Sequence, residues 1–295
     1  MIKNFFEKNN IEYKENISLK KYNTYKLDTV CDFLVFPKDE EELIKILKIV
    51  KETNTKHLIL GNGSNVIFSM DKYEGVIIRL DNLSSIEYNE NMVTVGAGYS
   101  LMKLAIETIE KGLSGLEFAA GIPGAVGAST AMNAGAYNSD MSRVVKSVRV
   151  LDENMNIVTL SNKDLAYEYR DSFLKKNSNY CVLSTTFILD NGDKESMKHL
   201  IQERRIKRLA SQPLDMPSAG SVFRNPENMF AGELIEKSNL KGYSIGGAKV
   251  SEKHANFIVN NGGATGKDIV ELIKLIQKEI KKNYNVELKL EQIII

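Results

Sequence analysis

Three stretches of the chain carry residue types suited to chemistry. Gly61-Asn62-Gly63-Ser64-Asn65 places two glycines and three small polar side chains in five residues. A loop of this kind can turn successive backbone N–H groups toward an anion, which would let it hold a pyrophosphate without a lysine. The plain alternative is a tight turn between two strands. It is not a Walker A loop, because no Gly-Lys-Ser/Thr follows. Nor is it a Rossmann fingerprint, since extended residues follow it and Val66 stands where the third glycine belongs. Gly96-Ala97-Gly98-Tyr99-Ser100-Leu101 does lie between a strand and a helix, but Leu101 replaces the third glycine, so it reads as a strand-to-helix turn. Within 121–137, Gly121, Gly124, Gly127, Ala128, Asn133 and Gly135 stand among further alanine and serine. So little side chain lets main chain lie along a flat, extended ligand, or lets a helix pack very closely on a sheet.

Two further residues are suited to act on a ligand. Arg170, between Tyr169 and Asp171, has the planar fork that matches a carboxylate, with a surface ion pair as the alternative. Ser221 lies in a loop bounded by Pro217 and Pro226. It has no sequence-local base, which disfavours a nucleophile, but a neutral hydroxyl can give a proton to a carbanion formed beside it. Otherwise it caps a turn. The three histidines (His57, His199 and His254) are too scattered for a metal centre, so no metal is implied.

The elements that must position these residues alternate over the first half. A capping spacing from Asp39 to Glu42 opens a helix whose stripe is Leu43, Ile46, Leu47 and Val50. Strands are expected at 57–60, 66–68, 76–78 and 92–95, then a helix from Ser100 to Gly112, then strands at 144–151, 157–160 and 180–189. The turn-rich Asp190-Asn191-Gly192-Asp193 precedes a basic helix over 194–209 that carries Arg204, Arg205, Lys207 and Arg208. Helices over 231–240 and from Thr265 follow, the second with Ile269, Ile273, Ile276 and Ile280 on one face, and the chain closes on an extended tail, 286–295. The division is expected at 190, giving domains 1–190 and 191–295, and the tail 286–295 either stays with the second or returns to the first.

Composition excludes whole classes of function. Lys plus Arg (39) against Asp plus Glu (38) leaves a net charge of +1, with no global field to grip nucleic acid or an anionic membrane. No apolar run approaches the roughly 20 residues of a membrane span. The N-terminus is interrupted by charge before a signal-peptide core can develop. Cys31 and Cys181 are too few for a disulfide framework. The expectation is a cytoplasmic protein acting on small molecules, with no obligatory protein partner.

Taken in order, Lys21-Tyr22-Asn23-Thr24-Tyr25, the Gly61 loop, 121–137, Tyr167-Glu168-Tyr169-Arg170-Asp171-Ser172, 217–226 and 253–260 closely resemble the UDP-N-acetylenolpyruvoylglucosamine reductase family, in its shorter subtype. The resemblance implies an α+β fold, with an FAD-binding domain of the vanillyl-alcohol-oxidase (PCMH) type followed by a smaller α+β substrate-binding domain. It also implies non-covalent FAD, NADPH as co-substrate and a UDP-sugar as substrate. By position it makes Arg170 an active-site arginine, Ser221 the proton donor and Glu291 the third catalytic member. Cofactor contacts fall to Gly61, Asn62, Gly63, Ser64, Asn65, Gly121, Gly124, Gly127, Ala128, Asn133 and Gly135. Substrate contacts fall to Tyr169, Arg224, Asn225, His254 and Asn256, with Arg224 preferred among the basic residues because it shares the Ser221 loop. Two departures stand out: Gln292 where valine is usual, and Leu27-Asp28-Thr29 where relatives carry Ile-Gly-Gly. The alternatives are a flavin oxidase of the same superfamily with another substrate, or a non-catalytic flavin- or nucleotide-binding protein.

Overall fold

The computed structural model describes residues 1–295, which form two compact units. The first comprises 1–15, 33–61 and 74–205, and the second 16–32, 62–73 and 206–295.

The first unit is built on a five-stranded antiparallel sheet in the order Ile157–Ser161, Val145–Leu151, Cys181–Ile188, Met92–Gly96, Ile86–Asn89. Period-two alternation decides its faces: Val93, Val95, Val148 and Val150 are buried, while Thr94 and Arg149 between them are only half-buried. The helix Glu40–Glu52 starts where Asp39 Oδ1 accepts the Glu42 N–H at 2.8 Å, and it buries the expected stripe Leu43, Ile46, Leu47 and Val50. The helix Leu101–Glu110 is capped by Ser100 and stops before Gly112, whose φ of 76° a side chain would oppose. The small-residue stretch contains a six-residue helix, Val126–Ala131, packed on the central strand with Thr130 Oγ1 and Thr185 Oγ1 2.9 Å apart.

In the second unit, the helix Gly266–Tyr284 opens on a capping box between Thr265 and Asp268 and buries Ile269, Leu272, Ile273, Ile276 and Ile280. These pack in one core with Tyr25, Leu27, Ile67 and Phe223. A three-stranded antiparallel sheet orders Ser244–Ile245, Ala248–Val250 and Ile258–Asn260.

The units differ from the expected division at 190. Asp190–Asn191 is no linker: it ladders antiparallel with Leu113–Ser114, and the division falls at 205/206, inside the helix Lys194–Ser211. The tail does return to an early segment, Ile293 pairing parallel with Val66 and Ile294 with Ile67, but that segment belongs to the second unit. Composition could not reveal this, because the pairing joins residues more than 200 positions apart. No helix is long and apolar enough to cross a membrane.

Candidate active site

In the first unit, the small residues at 121–135 serve close approach of main chain. Gly127 N–H donates to Ala97 O at 2.9 Å, and a Cβ on Gly127 would stand 2.7 Å from the Ala97 Cβ. Val126 N–H donates to Tyr99 O at 2.8 Å. The short helix therefore docks on the 96–101 turn, so close packing against other protein accounts for Gly127. Gly135 is held in the same way, 2.5 Å separating its would-be Cβ from the Asp140 Cβ. On the outward side of the helix Ala128 is exposed, and a Cβ on Gly61 would come within 3.0 Å of its methyl. Gly121 and Ile122 are half-buried and Pro123 is exposed, so this backbone borders open space. Arg79, which sequence reasoning missed, fixes the loop by donating from Nη1 to Gly61 O at 2.6 Å while pairing with Asp81.

Asn133 is buried, and its carboxamide is committed to the protein. Nδ2 donates to Glu168 O at 2.8 Å, and Oδ1 accepts the Ser142 N–H at 3.0 Å. It therefore positions the Arg170 turn. Ser172 adds a second tie, its Oγ donating to Ala131 O at 2.6 Å while capping the helix Phe173–Lys176. Between these ties the turn closes through paired backbone bonds of Glu168 and Asp171. Arg170 itself adopts φ of 57°, uncommon for a residue with a side chain, and donates from Nη2 to Gly135 O at 2.6 Å. Its guanidinium lies 5.1 Å from the ring centroid of the half-exposed Tyr169.

In the second unit, Gly63 is buried with φ of 62°, and a Cβ there would stand 2.7 Å from Asn23 Cα. Asn23 staples the facing turn, donating to the carbonyls of Leu19 and Leu27 and accepting the Leu27 N–H. Thr24 N–H and Oγ1 both donate to Gly63 O. The N–H groups of Gly63 and Ser64 meet no acceptor of the protein. Gly63 is buried and Ser64 half-buried, an arrangement of neighbouring donors that suits an anion. Asn65 turns the other way, Nδ2 donating to Glu291 O at 3.1 Å and its carbonyl accepting the Ile293 N–H at 2.9 Å.

Ser221 and Glu291 are brought to one ladder. Phe223 bridges Leu290 antiparallel, Arg224 N–H donates to Lys289 O, and Glu291 N–H donates to Val222 O, each at 2.9 Å. That register sets Val222 opposite Glu291 and Ser221 opposite Gln292. Gly220, with φ of 76°, supplies the turn before the serine. Asn256 is 4% exposed and spends both ends of its carboxamide on Phe223, accepting the N–H at 3.0 Å and donating to the carbonyl at 2.8 Å. The side chain expected to contact substrate therefore holds the serine loop instead. His254 supports it, with Nδ1 accepting the Asn256 N–H, and burial, aided by the charge of Lys241, holds its pKa below the usual histidine value. Asn225 Oδ1 accepts the Ala231 N–H and so starts the helix Ala231–Lys237. Arg170 belongs to the first unit, and Ser221, Glu291 and Arg224 to the second.

In the second unit the Gly63 and Ser64 donors suit a pyrophosphate; in the first, the half-buried backbone at Gly121 and the exposed Ala128 suit a flat ring system. The residues present fit FAD. The class is thus an α+β flavoprotein with an FAD-binding domain of the vanillyl-alcohol-oxidase type. A family model described as "FAD binding domain" matches residues 31–161. The glucooligosaccharide oxidase of Acremonium strictum shares the fold at 13% identity, with a TM-score of 0.50 over 99% of this chain and 60% of that one.

The particular family follows from closer matches. A model for the C-terminal domain of UDP-N-acetylenolpyruvoylglucosamine reductase matches residues 212–295. The reductase of Bacillus pumilus is 43% identical over 95% of this chain and 93% of its own, and that of Clostridium perfringens 45% identical over 90% and 87%. The crystal structure of the Thermus caldophilus reductase superposes with a TM-score of 0.81 at 31% identity, covering 96% of this chain and 98% of that one. The chain belongs to the UDP-N-acetylenolpyruvoylglucosamine reductase family.

Proposed function

We propose that the protein is an NADPH-dependent flavoenzyme that reduces UDP-N-acetylglucosamine enolpyruvate to UDP-N-acetylmuramate, a peptidoglycan precursor. The observation that carries this reading to the chemistry is the ladder that brings the Ser221 and Glu291 strands together beyond the Gly220 turn, with Val222 opposite Glu291. Residues 31–161 make up the FAD-binding part and residues 212–295 the substrate-binding part. The backbone at Gly61–Asn65 and Gly121–Ala128 would hold the cofactor, with Asn133 and Gly135 shaping the turn behind it. FAD, when bound, supplies two-electron chemistry, accepting hydride from NADPH and passing it to the vinyl carbon distal to the substrate carboxylate.

The chain's own residues manage charge and proton. Hydride at the distal carbon drives the electron pair of the double bond toward the carboxylate. Arg170 stabilises that charge through its fork, and Glu291 adds hydrogen bonding. Each well-placed donor of this kind contributes about 3 kcal/mol. Ser221 Oγ gives its proton to the carbon next to the carboxylate, and solvent returns a proton to the serine. One hydride and one proton thus saturate the double bond, and NADPH becomes NADP+. Tyr169 and Arg224 contact the substrate, while Asn225, His254 and Asn256 keep the loops that carry the contacts in place. The protein works in the cytoplasm on small molecules and needs no protein partner.

The test is purified protein reconstituted with FAD and mixed with NADPH. Oxidation of NADPH should depend on the enolpyruvyl sugar nucleotide and yield the lactyl ether. Oxygen consumption indifferent to that substrate would instead mark a flavin oxidase, and protein that takes up no FAD would end the reading.

A further inference from the structure

Directly across the ladder from Ser221 stands Gln292, where relatives of the family usually carry valine. It is 3% exposed. Its Nε2 donates to two carbonyls of the turn that leads into the serine, Ala219 O at 3.0 Å and Gly220 O at 3.1 Å. Its Oε1 accepts the hydroxyl of Tyr25 at 3.0 Å. Tyr25 is fully buried, and burial raises its pKa, so its hydroxyl remains a donor. The backbone of Tyr25 is fixed in turn, because Asn260 Nδ2 donates to its carbonyl at 2.9 Å. All three hydrogen-bonding capacities of the carboxamide used here point one way. Tyr25 sets which end of the amide is oxygen, and the amide N–H groups then grip the two residues before Ser221.

We propose that Gln292 is a positioning residue for Ser221, anchored by Tyr25, and that this pair fixes the direction of the serine hydroxyl. The proposal rests on the proton-donor role of Ser221 argued above. Gly220 has φ of 76° and no atom within 4 Å of a would-be Cβ. Hydrogen bonds to the Ala219 and Gly220 carbonyls hold the turn before the serine, as the Asn256 bonds to Phe223 hold the segment after it. Valine at 292 would fill part of the volume but leave two carbonyls and the Tyr25 hydroxyl without these partners.

The experiment separates fold from alignment by measuring the two half-reactions in the FAD-loaded protein. For Gln292→Val, flavin reduction by NADPH should stay within about twofold. Reoxidation by the enolpyruvyl sugar nucleotide should slow about tenfold or more, the scale of a displaced reacting group, with a larger solvent deuterium isotope effect. The double variant Tyr25→Phe/Gln292→Val also removes the stranded hydroxyl, leaving only the two carbonyls without this partner. It should regain part of the thermal stability without regaining the sugar-nucleotide half-reaction. Should Gln292→Val not fold, Tyr25→Phe, which deletes one oxygen, should show the same split to a smaller degree.

Equal loss in both half-reactions, an unaltered isotope effect, or recovery of rate together with stability in the double variant would overturn the proposal. A wild-type protein that ignores the sugar nucleotide, or Ser221→Ala that turns it over normally, would instead refute the functional reading on which the proposal stands.

Discussion

Asn256→Asp is the substitution that most sharply separates holding the serine loop from touching substrate. The wild-type carboxamide accepts the Phe223 N–H at 3.0 Å and donates to the Phe223 carbonyl at 2.8 Å, at a site 4% exposed. Aspartate keeps the first bond but sets a carboxylate oxygen against the carbonyl. Either Phe223 moves, stranding a buried acceptor at a cost of about 1–3 kcal/mol, or the carboxyl takes up a proton to restore the bond. Its folded pKa is then raised above the unfolded value of about 3.9. The sign follows: a group with a raised folded pKa contributes its stability below the unfolded value and loses it as pH rises through the folded one. The variant should match wild-type urea stability most closely below about pH 4 and trail it by about 1–3 kcal/mol at pH 8. Because Val222 and Phe223 follow Ser221 directly, the sugar-nucleotide half-reaction at pH 8 should fall about tenfold to a hundredfold while NADPH still reduces the flavin. A stability deficit independent of pH, or a rise in KM with an unchanged rate, would refute the reasoning and return Asn256 to a substrate contact.

Gly63→Ala should yield protein of low FAD content, because φ of 62° disfavours a side chain by about 1–2 kcal/mol and the new methyl would meet the Asn23 backbone; the absorbance spectrum after FAD reconstitution checks it. Arg170→Lys should retain FAD yet lose tenfold or more in sugar-nucleotide reduction, because an ammonium cannot present the planar fork while holding Gly135 O; half-reaction rates decide it. Burial holds both His254 and His57 below their ordinary value of 6.5, so stability is full above that pH and falls as pH drops below it. His254→Gln should flatten part of that decline in thermal melts between about pH 5 and 7.5, and an unchanged slope would show that His254 does not titrate with folding.

Local chemistry made much of the fold legible. The Thr265–Asp268 capping box and the isoleucine stripe behind it gave the long helix, and the Asp39 cap gave the earlier one, because both signals lie within a few residues of each other. The division at 190 was not legible, because it depends on pairings such as Ile293 with Val66 and Tyr25 with Gln292 that no local window contains. The candidate site divides in the same way. Residue type left Arg170 and Ser221 open to an ion pair and a turn cap, and only the family resemblance singled out those two and Glu291. Type alone could not tell that Asn133 and Asn256 spend their carboxamides on backbone, since an asparagine that binds a ligand and one that staples a turn look alike in sequence. Gln292 stood out only as a departure from a pattern, and its meaning came from the two carbonyls it grips.

The most direct test of the account is the pair of anaerobic half-reactions in Ser221→Ala. Deleting one half-buried hydroxyl leaves the backbone ladder to the Glu291 segment intact, so NADPH should reduce the flavin at the wild-type rate. Reoxidation by the enolpyruvyl sugar nucleotide should drop about a hundredfold or more, the scale of a lost general acid. Wild-type reoxidation by Ser221→Ala, or the same fractional loss in both halves, would contradict it.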